Sequence, residues 1–314
     1  MSVTVLITGA NGFIGSHTTL LLESLGHTVV PLDVLPRSRD LSLLPIKTPS
    51  ILFDATDSAQ FRDLCASKKP THIFHAAHPP RDENPQVLDF VLKATGNVLE
   101  AAMKLKAQRV VYASSGALYG QLRKTDGSLI KETDLISVYP TYFYRSAKMV
   151  SEWLGDYYSQ QHGVRFVALR FSSVYGPGLG RGIPLELKKG VVGLHCKPYL
   201  TRIPDDPVYV TDVAEAVRLA FFSESPLSRA YNIGIGKGYS NEDLETAIRK
   251  HLPEISFEIG KHPLSATVGP HRDRDVIDIS LARAELGFKP KFDLDAGIAA
   301  TGDWLRKERG HLKP

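Results

Sequence analysis

The sequence predicts an α/β fold: a doubly wound parallel sheet with a smaller C-terminal cap. Three observations carry this expectation. Short β-rich apolar runs alternate with stretches of helical pattern, an order that implies parallel pairing through right-handed crossovers. The first run ends in a glycine turn, Thr8-Gly9-Ala10-Asn11-Gly12-Phe13-Ile14-Gly15, which leads directly into a helix. After Gly176 the alternation breaks down, glycine and proline become frequent, and the helices shorten. Residues 1–176 therefore read as the sheet-forming domain, with late sheet elements returning from about 205–235, and 177–314 as mainly the cap.

Each element follows from its local pattern. Val3–Thr8 is a strand and Phe13–Leu25 a helix; His27–Asp33 is the next strand, followed by a stretch holding Pro36, Pro45 and Pro49. Ile51–Asp54 is short and apolar, and Asp57–Ser67 is helical until Pro70 stops it. Thr71–Ala77 is a strand, Pro85–Lys106 a long helix and Arg109–Ser114 a further strand. A helix over 143–162 and the strand Arg165–Phe171 complete the series. In the remainder, Asp212–Phe222 and Asn241–His251 read as helices with a strand, Ala230–Ile233, between them.

Composition narrows the function class. A hydrophobic fraction of 43% and a charged fraction of 23% are ordinary for a globular protein. A net charge of +4, from 38 basic and 34 acidic residues, is small and dispersed, so neither nucleic acid nor an anionic membrane is an expected partner. The first residues form a strand and not a basic leader, and no apolar run is long enough to span a bilayer. Cys65 and Cys196 stand alone in no paired motif, which points to a reducing, cytoplasmic setting without disulfide or zinc.

The glycine turn is a place for a diphosphate. Glycines three apart let the backbone turn tightly and let an anion approach the unpaired N–H groups at the helix N-terminus. A purely structural turn is the alternative. Asp33 ends the second strand, where a carboxylate accepts from ribose hydroxyls and repels a 2′-phosphate, favouring NAD over NADP. Arg37 and Arg39 follow closely and are placed to favour the opposite choice. Asp54, with Ala55 beside it at the end of the third strand, is a candidate for the adenine amine or equally a helix-capping residue.

Tyr144 and Lys148 lie four residues apart, one turn along the same helix face. An ammonium beside a phenol favours the phenolate and makes it a usable proton donor or acceptor. Taken alone, the pair also fits a solvated helix face. Upstream, Val111-Tyr112-Ala113-Ser114-Ser115-Gly116-Ala117-Leu118-Tyr119-Gly120 leaves a strand at its carboxyl end, where ligands sit in such sheets.

Together these motifs resemble the extended short-chain dehydrogenase/reductase family, the NAD-dependent epimerase/dehydratase group, along nearly the whole chain. The closing stretch Ala284-Glu285-Leu286-Gly287-Phe288-Lys289-Pro290 is similar to that family's Leu-Gly-aromatic-x-Pro ending. The resemblance implies a Rossmann-like fold, NAD as cofactor, and Gly9, Asn11, Gly12, Phe13, Ile14, Gly15, Asp33, Asp54 and Ala55 on its adenosine diphosphate side. It implies that Ser115 holds the substrate oxygen, Tyr144 exchanges a proton with it, and Lys148 bonds the nicotinamide ribose. Ser114 is the second choice for the serine, and Tyr139 and Tyr142 are competing phenols without a lysine one turn on. His75-Ala76-Ala77 is similar to the segment lining the nicotinamide side. His72, His75 and His78 cannot share a metal on one strand, because positions three apart face opposite ways, so no metal is expected. Relatives commonly dimerise through the long helix and the Tyr-bearing helix, so a homodimer is implied.

Departures from the family pattern bear on substrate. Ser173 stands where nucleotide-sugar enzymes usually carry asparagine, Val91 also replaces one, and Asp205 replaces an arginine that grips the diphosphate. Gly116, Ser173 and Arg272 are the expected substrate contacts, with Arg274, Arg181 and Lys188 as further candidates. An anion at position 205 should repel a nucleotide diphosphate. The expected function is therefore NAD-dependent hydride transfer at a secondary alcohol or ketone of a hydroxylated, sugar-like substrate that is not a nucleotide sugar. A nucleotide-sugar 4-epimerase with tightly bound NAD is the alternative, and a catalytically silent NAD-binding regulator a second. Gly116 and Ala117 after Ser115 leave no acidic pair for a dehydratase.

Overall fold

The computed structural model describes residues 2–79, 84–136, 143–224, 227–261 and 274–313. In chain order the first part contains β1 (Thr4–Thr8), α1 (Phe13–Ser24), β2 (Thr28–Asp33), β3 (Ile51–Leu52), α2 (Ser58–Lys68), β4 (His72–His75), α3 (Gln86–Leu105), β5 (Arg109–Ser115), α4 (Phe143–His162) and β6 (Phe166–Phe171). There follow β7 (Val174–Tyr175), α5 (Gly182–Val191), β8 (Val208–Tyr209), α6 (Val210–Phe222), β9 (Ala230–Ile233), α7 (Asn241–His251), α8 (Ser280–Leu286) and α9 (Leu294–Lys307).

Seven strands form one sheet in the order β3-β2-β1-β4-β5-β6-β9, with every neighbouring pair parallel. The doubly wound expectation is met. Connections run outward in both directions from β1 and β4, so a crevice opens where the carboxyl ends of these strands diverge. The sheet is covered on both faces, which is why its strands read as nearly continuous apolar runs. Val5 and Ile7 of β1 pack with Leu22 of α1 and Val213 and Val217 of α6. Leu6, between them, faces Phe61 of α2 and Val98 of α3 on the other side. Side-chain alternation along one strand thus feeds two separate cores.

Helix ends follow side-chain chemistry. Asp57 caps α2 by accepting from the Gln60 N–H at 2.9 Å, and Asp293 caps α9 through the Ala296 N–H at 2.8 Å. Ser240 and Asp243 form a reciprocal capping box on α7. The cap has its own core, in which Leu187 of α5, Leu244 and Ile248 of α7 and Ile298 of α9 meet. β8, α6 and β9 return the chain to the sheet, and β7 and β8 pair as a small parallel ribbon between sheet and cap. No described helix is long and apolar enough to cross a membrane.

Candidate active site

The glycine turn between β1 and α1 is shaped by close backbone approach. Gly9 has φ +72°, and a Cβ there would lie 2.7 Å from the Ala77 nitrogen. A Cβ on Gly15 would lie 2.2 Å from the Gly9 carbonyl oxygen. Both positions exclude any other residue. Gly12 precedes α1 without a side-chain cap, and the first turn of that helix carries no acidic residue, so its N–H groups and dipole remain available to an anion. Asp33, at the end of β2, is fixed beside the turn: one carboxylate oxygen accepts from the Asn11 N–H at 2.9 Å and the other from the Leu35 N–H at 3.1 Å. The Asn11 amide donates to the Leu35 carbonyl and to Ser50, tying the turn to the segment after β2. Asp54 is exposed and holds the Thr56 N–H and hydroxyl, while the buried Ala55 carbonyl accepts from Asn97; neither lines the cleft.

One cleft of about 890 Å³ joins this turn to the chemical end. Gly9, Gly12, Phe13, Ile14 and Gly15 line it, as do Ser115, Tyr144 and Lys148. Ser115 closes β5, where its Oγ accepts from the Ala117 N–H at 3.1 Å and caps a 3-10 turn over Gly116–Tyr119. Tyr144 and Lys148 lie on α4, both buried. The Lys148 ammonium donates to the Ala113 carbonyl at 2.6 Å and sits 5.6 Å from the Tyr144 ring centre. The Tyr144 ring packs on His78, with centroids 4.9 Å apart. Ser114 has its hydroxyl bound to Glu152 at 2.5 Å, which leaves Ser115 as the hydroxyl presented by this strand end. Tyr139 and Tyr142 lie outside the described residues.

Histidine placement differs from expectation at one position. His75 does not face the cleft; its ring is buried between Thr8 (2.7 Å) and Thr95 (3.1 Å), and Thr95 bonds Ser151 in turn. This chain links β1, β4, α3 and α4. Burial, with the nearby Lys148 charge, pushes the His75 pKa down to about 3, so the ring is neutral. Ala76 and His78 line the cleft instead, and the Ala77 backbone abuts Gly9. His72 packs against Phe221 and Phe222, so the three histidines point to different surroundings.

Behind Ser115 lies a buried polar framework absent from the sequence-based reading. Arg170 of β6 forms a two-pronged ion pair with Glu152 of α4, at 3.1 and 2.7 Å, and also donates to the Tyr119 hydroxyl at 2.9 Å. Tyr119 donates to Asn232 of β9 at 2.7 Å. Glu152 is one turn beyond Lys148, so the pair fixes the Tyr-bearing helix against the strand end holding Ser115.

The cap end of the cleft corrects three further expectations. Asp205 is not a free anion facing the ligand. Its carboxylate is buried, accepting from Ser173 (2.9 Å), the Asp206 N–H (2.9 Å) and the Thr201 N–H (2.8 Å). A cation that the motifs did not signal, Arg202, lines the cleft next to it together with Ser173 and Arg274. Burial alone would raise the Asp206 carboxyl, but Arg274, Arg202, Ser172 and the Ile277 N–H outweigh it and hold the group below the usual carboxylate range. Gly116 is not on the cleft wall; a Cβ there would lie 3.2 Å from the Arg274 guanidinium, so its smallness admits that side chain. Arg272 lies outside the described residues. Arg181 lines the cleft, whereas Lys188 turns away to pair with Asp40 at 2.8 Å. Val91 is buried in the contact between α3 and α4.

This geometry can be compared with known proteins. The sequence profile of the NAD dependent epimerase/dehydratase family matches residues 5–234. The chain belongs to that family. It is 28% identical to a UDP-glucose 4-epimerase of Lacticaseibacillus casei, over 96% of each chain. It is 27% identical to UDP-glucuronate 4-epimerase 5 of Arabidopsis thaliana, covering 96% of this chain and 75% of that one. A crystal structure of Thermus thermophilus UDP-glucose 4-epimerase in complex with NAD superposes with a TM-score of 0.79 at 30% identity, over 96% and 99% of the two chains. The protein is thus an NAD-dependent enzyme of the short-chain dehydrogenase/reductase type, with a Rossmann-like fold. The glycine cradle, the uncapped α1 N-terminus and the fixed Asp33 carboxylate fit NAD.

Proposed function

We propose that the chain is a nucleotide-sugar 4-epimerase that keeps its NAD between turnovers. The observation carrying this reading is that Ser115, Tyr144 and Lys148 share one cleft with the glycine turn, while Arg202 and Arg274 stand at its cap end. The relatives described above are 4-epimerases of nucleotide sugars, which favours this alternative over the expected non-nucleotide substrate. Asp205 lines the cleft, but its carboxylate is already engaged by Ser173, the Thr201 N–H and Arg202, which weakens the objection that it repels a diphosphate.

Gly9, Gly12 and Gly15 would admit the diphosphate of NAD, and Asp33 its adenosine ribose. When bound, NAD supplies reversible uptake and return of a hydride at the sugar carbon. Ser115 holds the reacting sugar oxygen. Tyr144 takes the proton from that hydroxyl and gives it back to the oxygen in the second half of the cycle. Lys148, held by the Ala113 carbonyl, places its charge beside the Tyr144 ring, and would bond the nicotinamide ribose when NAD is bound.

A second reading, a smaller sugar-like substrate without a nucleotide, is favoured by one observation: the arginines at the cap end are already opposed by Asp205 and Asp206. Denaturing the purified protein and measuring released NAD, then titrating the intact protein with UDP and thymidine diphosphate, separates the two. Retained NAD with saturable diphosphate binding supports the epimerase. NAD that washes off, with no diphosphate binding, favours the smaller substrate.

The domain roles follow the same reading, with 1–176 plus 205–235 holding NAD and the rest acting as the substrate cap. A homodimer through α3 and α4 is part of the proposal. Leu92, Trp153 and Tyr157 expose large apolar surface there, and Gly96 leaves open space for a close helix approach. Cys65 and Cys196 are buried free thiols, which suits the reducing cytoplasm.

A further inference from the structure

Residues 34–50, between β2 and β3, form a long connection whose regular structure is confined to a 3-10 turn over Leu41–Leu43. Loops of this length inside a compact domain are uncommon and usually have a role. Both ends of this one belong to the glycine turn. The Asn11 amide donates to the Leu35 carbonyl at 2.6 Å and to the Ser50 hydroxyl at 2.9 Å, and Asp33 accepts from the Leu35 N–H. The Lys47 and Thr48 N–H groups donate to Glu23 of α1 at 3.0 and 2.8 Å.

The middle of the connection belongs to the cap. The Asp40 carboxylate accepts from the Lys188 ammonium of α5 at 2.8 Å, and the two side chains are only 15% and 12% exposed. Leu43 packs against the cap core, and the buried Leu41 fills the space over Gly178, where a Cβ would lie 2.5 Å from the leucine side chain. Arg39 donates to the His311 carbonyl at 3.1 Å. Lys188 lies one turn beyond Pro184 on α5, and Leu179 follows Gly178; Pro184 and Leu179 both line the cleft. Asp40 and Lys188 themselves do not. A strap thus runs from the glycine turn and Asp33 to the cap wall of the cleft.

We propose that this strap couples NAD to the cap, with Asp40 and Lys188 as positioning residues. NAD held at Asp33 and the glycine turn steadies residues 34–50, and the Asp40–Lys188 clasp passes that order to α5. The assignment of the cap to the substrate rests on the domain roles proposed above. Coupling between sites is reciprocal, so breaking the clasp weakens the hold on NAD although Lys188 lines no part of the cleft. A charged, largely buried hydrogen bond is strong enough to carry a typical coupling of about fivefold in affinity.

The test is the rate at which the NAD-loaded protein exchanges its NAD for radiolabelled NAD, with hydrogen exchange of the α5 amides read alongside. Lys188→Met and Asp40→Asn should each release NAD about fivefold faster than wild type, with faster amide exchange in α5. Either variant carries the test should the other fail to fold. The swapped pair, Asp40→Lys with Lys188→Asp, should recover the wild-type release rate. Arg249→Met, which removes an exposed ion pair within α7 of the cap, should release NAD at the wild-type rate. Unchanged release from the single variants, no recovery by the swap, or equal acceleration in Arg249→Met overturns the proposal. A failure of the epimerase reading looks different: UDP would not slow NAD release from the wild type, yet Lys188→Met would still release NAD faster.

Discussion

Replacing Glu152 with Gln removes the one carboxylate that pairs with Arg170 among the described residues. Both side chains are about 5% exposed or less. The amide can face Arg170 with only one oxygen, so it cannot accept both guanidinium bonds and the Ser114 hydroxyl as the carboxylate does. Breaking a buried pair by removing one partner costs about 3–5 kcal/mol, because the remaining charge stays buried. Gln keeps part of the hydrogen bonding, so the lower end, about 3 kcal/mol, is expected for Glu152→Gln. At roughly 2–4 °C per kcal/mol, that is a fall in melting temperature of roughly 6–12 °C. The paired variant Glu152→Met with Arg170→Met should be more stable than Glu152→Gln, since two apolar groups of similar volume strand no charge. Its turnover should stay low, because Ser114 and Tyr119 lose the partners that hold the Ser115 turn against α4. Melting by circular dichroism, alongside kcat and KM for each variant, reads all of this. The reasoning is refuted if Glu152→Gln melts within about 2 °C of wild type, or if the double variant regains full kcat.

Tyr144→Phe should lower kcat by about 10²–10⁴-fold, the usual worth of a positioned proton donor, while NAD released on denaturation stays at the wild-type amount. Gly15→Ala should lose NAD on purification, because its Cβ would lie 2.2 Å from the Gly9 carbonyl oxygen. Measured stability should fall as pH drops from about 6.5 towards 3. Burial lowers the pKa of His75 to about 3 and those of His17 and His72 to about 4, so the unfolded chain takes up protons there that the folded chain refuses. Urea unfolding across that window should show a shallower slope for His75→Asn, and an unchanged slope would sink this explanation. The proposed homodimer through α3 and α4 predicts a dimer for the wild type and a folded monomer for Trp153→Glu by light scattering, and a wild-type monomer would refute it.

Legibility from sequence depended on whether a role is local. The glycine turn could be read because Gly9 and Gly15 answer to backbone contacts within a few residues and to one neighbouring strand end. Tyr144 and Lys148 could be read because helical spacing alone puts them on one face. At the cap end, charge was legible but direction was not. Asp205 looked like a repelling anion, and only the fold shows its carboxylate turned onto Ser173 and Thr201, with Arg202 brought beside residues some thirty positions earlier. His75 was misplaced for a related reason: its ring direction is set by Thr8 and Thr95 on neighbouring elements, contacts that no local spacing shows. The Glu152–Arg170 pair spans α4 and β6, and no spacing rule joins them. Helices α5, α8 and α9 were not specified individually because they take their form from packing, α5 and α9 in the cap core and α8 in the sheet core, and, in α9, from the Asp293 cap.

The most direct test is to add UDP-galactose to the purified protein without supplementing NAD and to follow the appearance of UDP-glucose. The account predicts conversion in both directions by the protein alone and almost none by Tyr144→Phe. Should no nucleotide sugar be interconverted, while a simple polyol or sugar acid reduces added NAD mole for mole, the enzyme works on a smaller substrate and the epimerase assignment is wrong.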